Sequence, residues 1–124
     1  MSSGADEEFF ARLAELNGKF AASLPQTLGR LSAAREAFDV ARPQEALIAQ
    51  LQAVLHTLAG SSATFGFRGL GQHARALEQR LRVLTTFDSV NPTEWRAWLG
   101  ELDTFVAWGL RDPKGSYPND EPGI

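Results

Sequence analysis

The chain is 124 residues long, with 44% hydrophobic residues, 22% charged residues and a formal charge of −3. One folded domain of ordinary size follows, wholesale disorder is excluded, and the mildly acidic balance argues against a nucleic acid partner, which calls for a basic face. Cysteine is absent and His56 and His73 are the only histidines, so disulfides, thiolate chemistry and Cys-type zinc sites are ruled out, and a histidine-based metal site has little to draw on.

The N-terminal MSSGADEE is acidic and has neither a basic region nor an apolar core, so a secretory signal is not expected and a cytoplasmic protein is the default. Hydrophobic periodicity is helical throughout. A first helix is expected from about Asp6, with acids in its first turn, through Phe9, Phe10, Leu13 and Leu16 to Gly18. A second covers roughly Phe20 to Phe38, with Phe20, Leu24, Leu28 and Leu31 on one stripe and Pro25 either kinking it or marking its start. Pro43 opens a third, which runs to about Phe65 and stops at Gly66. A fourth follows from Phe67 or Arg68 to about Leu84, with Leu70, Ala74, Leu77 and Leu81 on one face and His73 flanking it in a partly buried, structural place. The sequence Asn91-Pro92-Thr93-Glu94 announces the last helix through a capping residue, a first-turn proline and an early acid. That helix carries Trp95, Trp98, Leu99, Leu102, Phe105 and Val106 at core spacing.

The expected fold is all-α: an antiparallel up-down four-helix bundle with a short additional N-terminal helix. Residues 1–5 read as a disordered leader, 6–110 as the bundle, and 111–124, with Pro113, Pro118, Pro122, Gly115 and Gly123, as a loose tail.

The third helix is anomalous. From Ala46 to Phe67 no Lys, Arg, Asp or Glu occurs. Gln50, Gln52, His56, Thr57, Ser61, Ser62 and Thr64 make the segment too polar for lipid, so no membrane association is expected. At about 100° per residue, Leu47, Leu51, Val54, Leu58 and Phe65 form a buried stripe with Ile48 and Leu55 on its shoulder. His56 falls almost opposite, among Ala49, Gln52, Ala53, Ala59, Gly60 and Ala63. Solvent-facing helix surface ordinarily carries Glu, Lys and Arg, whereas this face is built from small residues around one imidazole. It admits three roles. It could be a second buried side with a core histidine. It could hold a lone metal-binding or catalytic histidine, although no carboxylate lies within a turn of it. It could be a flat, uncharged landing pad for another protein, with a reactive imidazole at its centre.

A neutral imidazole is a good nucleophile near pH 7. If Nδ1–H donates to a carboxylate, the tautomer is fixed and Nε2 is left to attack a phosphoryl group, with a partner supplying the rest of the site. Glu78 on the next helix can stand at the height of His56, because the chain reverses at Gly66 between them. It could equally pair with Arg75 or Arg82, three before and four after it. Arg68 and Arg75 could attract a phosphoryl group or be solvated surface. No G-x-x-x-x-G-K-[ST] occurs, and the glycines at 66, 69 and 71 have the wrong spacing for G-x-G-x-x-G, so no cofactor is expected.

The run His56-Thr57-Leu58-Ala59-Gly60-Ser61-Ser62-Ala63-Thr64-Phe65-Gly66-Phe67, with Leu70, Ala74 and Leu77-Glu78 after it, closely resembles the signature of histidine-containing phosphotransfer domains. Those domains usually read H-x-L-K-G, then small residues, a glycine, and a helix ending in L-E or an equivalent. The likeness is dense over the two central helices and weaker over Leu24-Pro25, Leu28, Leu31 and Ala34. It implies a four-helix bundle with His56 as the phospho-accepting residue, Gly60 clearing space beside the ring and Glu78 orienting it. It also implies a docking surface over Gln52, Ala53, Ala59, Ala63, Arg68 and Arg75. The implied partners are receiver domains of response regulators or hybrid histidine kinases, approached by a monomer that relays phosphate and is not an autonomous enzyme. Ala59 departs from the pattern, which usually has lysine there. The alternative function is an adaptor or inhibitor that binds a receiver or kinase without carrying phosphate.

Overall fold

A computed structural model of the chain describes residues 4–118, which form four helices: α1 (Gly4–Ala37), α2 (Glu45–Thr64), α3 (Arg68–Leu84) and α4 (Pro92–Arg111). The connections are short, so successive helices run antiparallel. Each helix packs on two neighbours: α1 on α2 and α4, α3 on α2 and α4. The core they enclose includes Leu28, Leu31, Leu51, Leu55, Leu70, Leu81, Leu99 and Phe105, together with Trp95, Trp98 and Trp108.

The expected short leading helix is corrected: it is fused with its successor into the single 34-residue α1. Glycine ends a helix where the chain turns left-handed, and Gly66 is the one described residue with positive φ. Gly18 keeps helical geometry, at a cost of about 1 kcal/mol relative to alanine. Pro25 also lies inside α1. It faces solvent, as does Ala21 one turn earlier, so water can satisfy the carbonyl that loses its N–H partner. Phe20, Leu24, Leu28, Leu31 and Ala34 bury the second half of the helix. The first half extends past the bundle with Phe9, Phe10 and Leu16 exposed.

Between α2 and α3 the chain reverses as the glycine spacing predicts. Gly66 adopts φ +83°, and Phe67 N–H donates to the Ser62 carbonyl at 2.8 Å, the six-to-one closure of a glycine-terminated helix. Asn91 caps α4, its side chain accepting from Thr93 N–H at 2.8 Å, and Pro92 follows in the first turn. Trp98 Nε1 donates to the Leu77 carbonyl at 3.0 Å, tying α4 to α3.

Two further expectations differ. On α2 the buried residues are Leu51, Leu55, Leu58, Ala59 and Ser62, while Leu47, Val54 and Phe65 are only half-buried. The helix is rolled about its axis because α3 packs closely there: a Cβ built on Gly71 would stand 3.1 Å from the Ala59 carbonyl oxygen and 3.3 Å from Ser62 Cβ. The described part of the tail, expected to be loose, packs back on the bundle. Tyr117 is buried and stacks on His73 with ring centroids 3.7 Å apart, edge-on to Trp108, while Lys114 sits over the Phe67 ring. Burial of these rings offsets the cost of ordering the short strap. Residues 1–3 of the expected leader and 119–124 of the tail lie outside the described residues. No helix among those described is long and apolar enough to cross a membrane.

Candidate phosphoryl-accepting site

His56 lies midway along α2 with its side chain 72% exposed, which removes the core-histidine role. Its Nδ1 stands 3.1 Å from Glu78 Oε1 and 3.3 Å from Oε2. Glu78 is almost wholly buried (5% exposed). It reaches α2 because the Gly66 turn lays α3 back along α2, and because Ala59, Ser62, Gly71 and Ala74 let the two helices approach closely. A buried carboxylate needs compensation, and Glu78 receives it twice. Besides the imidazole, Arg82 donates to Oε1 from Nε at 3.0 Å and from Nη2 at 2.8 Å. Both contacts open to Glu78 in the sequence are therefore present together, and the second comes from Arg82 rather than Arg75.

A carboxylate can only accept, so the neutral ring is assigned its proton on Nδ1, which leaves the Nε2 lone pair facing solvent. The ring opens onto a shallow cleft of about 400 Å³, lined by His56, Ala59 and Gly60 from α2 and by Arg75, Glu78, Gln79 and Arg82 from α3. Such a site presents a held nucleophile flanked by guanidinium groups, and it lacks a wall on the solvent side.

The sequence-expected docking residues divide. Ala53, Ala63, Arg68 and Arg75 are exposed. Gln52 is half-buried and lines a separate cleft of about 530 Å³ with Pro43, Ile48, Phe87 and Trp95 at the end of the bundle. Ala59 is corrected from docking surface to interior: it is 4% exposed, because the roll of α2 turns it under the imidazole toward α3. Gly60 is exposed, and a Cβ there would meet nothing within 4 Å, so alanine would also leave the resting ring clear. Arg82 and Gln79 line the cleft in addition to the residues expected there; the four-residue spacing from Glu78 to Arg82 is the sequence signal for the first, and Gln79 has none.

A family model described as the Hpt domain matches residues 15–106. The chain belongs to the Hpt domain family. No curated protein and no solved structure matches it. Hpt domains perform histidine phosphotransfer in phosphorelays and interact with receiver and kinase domains, and the Hpt match encloses α2, α3 and the whole His56–Glu78–Arg82 arrangement.

Proposed function

We propose that His56 accepts a phosphoryl group on Nε2 and relays it between aspartates of response-regulator receiver domains. The single observation that carries this reading is an imidazole that is solvent-exposed yet held through Nδ1 by a buried carboxylate. In the forward step the Nε2 lone pair forms a P–N bond as the P–O bond of the receiver's aspartyl phosphate breaks, and the aspartate leaves as carboxylate. The ring keeps its Nδ1 proton, donated to Glu78, and becomes cationic. Return to a second aspartate reverses each change. Positioning and charge stabilisation dominate such transfers, and an open cleft lets the visiting receiver provide what this chain lacks. Under the same reading the protein is a cytoplasmic monomer, not an autonomous enzyme, whose reactive face stays free for brief docking.

The test mixes the protein with a phosphorylated receiver. Acid-labile, base-stable label should appear on the wild type and be absent from His56→Gln. Binding of several receivers without any transfer of label would replace the relay with the adaptor role.

A further inference from the structure

Resting on that reading, we propose that α3 supplies the positive charge serving phosphorylated His56, with Arg75 as the phosphoryl ligand and Arg82 as the residue that positions Glu78. The need is one of charge. Phosphorylation brings about −2 to Nε2, beside a Glu78 carboxylate that is already anionic and almost buried. The cationic ring offsets one of these charges. On α2 the cleft is lined by His56, Ala59 and Gly60 alone, and no Lys or Arg occurs between Ala46 and Phe67 to offset the others.

Arg75 and Arg82 lie about one turn to either side of Glu78 on α3, and both line the cleft into which the imidazole opens. Their duties differ because their partners differ. Arg82 spends two donors on Glu78 Oε1, so it holds the carboxylate in place for Nδ1–H and cancels its charge. Arg75 is exposed and has neither a hydrogen bond nor an ion pair among the described residues. Its guanidinium fork is free to bind two phosphoryl oxygens at once.

Phosphoramidate tests this without a protein partner: Nε2 forms the new P–N bond, the donor's P–N bond breaks, and ammonia leaves. Arg75→Gln should lower the labelling rate and shorten the lifetime of the phosphohistidine by roughly three- to tenfold, the range expected for one partly exposed charge-assisted contact. Arg75→Lys should recover part of the loss, and Arg96→Gln, on the helix diagonal to α2, should match the wild type. Arg82→Gln is read by the ring nitrogen signals in NMR. The population with the proton on Nδ1 should fall in the unphosphorylated protein, and Arg82→Lys should restore it in part. Arg75→Gln behaving as wild type, or Arg82→Gln leaving the tautomer balance unmoved, overturns the assignment while leaving the relay intact. A wild type that takes no label at all overturns both.

Discussion

The close approach of α2 and α3 carries Glu78 to His56, and exchanging one hydrogen for a methyl group tests it. In Gly71→Ala the added Cβ would lie 3.1 Å from the Ala59 carbonyl oxygen, 3.3 Å from Ser62 Cβ and 3.4 Å from Ala63 N. Two of these neighbours are backbone atoms of α2, so no flexible side chain can swing away and one helix must shift by a few tenths of an ångström. Overpacking of this kind costs about 1–3 kcal/mol, against a gain of about 1 kcal/mol from replacing glycine by alanine inside a helix. The expected net result is a loss of about 1 kcal/mol, or roughly 4 °C in melting temperature for a domain of this size. Gly60→Ala, on the neighbouring helix, meets nothing within 4 Å and should gain about 1 kcal/mol from propensity alone. The same substitution thus takes opposite signs at two sites of one helix pair. Thermal and urea unfolding followed by circular dichroism reads both. A Gly71→Ala protein as stable as the wild type or more so would refute the close packing, and with it the reason given for the reach of Glu78.

Trp98→Phe removes the buried indole donor to the Leu77 carbonyl; a loss of about 1–2 kcal/mol is expected in urea unfolding, with the helix content unchanged. Tyr117→Ala should release the strap: about 2 kcal/mol of stability is lost with the buried ring, and the His73 ring proton shifts move as the stacking partner disappears. Removing residues 1–14 discards the first turns of α1, which are exposed from Gly4 to Ala14 except for half-buried Leu13; the helical signal should drop in proportion to the helix lost, while the unfolding free energy changes by less than about 0.5 kcal/mol.

Much of the arrangement was legible because it is local. The left-handed turn at Gly66 and the Asn91 cap follow from residues that touch their near neighbours in sequence, and both appear where the composition put them. The unusual face around His56 was legible from the charges it lacks, but that face alone admitted three roles, and it was the resemblance to the phosphotransfer signature that singled out the imidazole. The continuity of α1 was missed because Gly18 and Pro25 weaken a helix without having to end it, and burial from Phe20 to Ala34 outweighs their cost. The strap was missed because prolines and glycines reveal a departure from helix but not where Tyr117 lands.

By itself, the sequence determined four amphipathic helices, the sharp reversal between the central two, and a phospho-accepting candidate at His56 with Glu78 within possible reach. Periodicity defines a helix face to within a residue or so, yet it leaves free the roll of that helix about its own axis. Only the tertiary structure decided that roll, through the contact of Ala59 and Ser62 with Gly71. The same contact hid Ala59, carried the Glu78 carboxylate to Nδ1, and brought the imidazole and Arg82 together on a single oxygen.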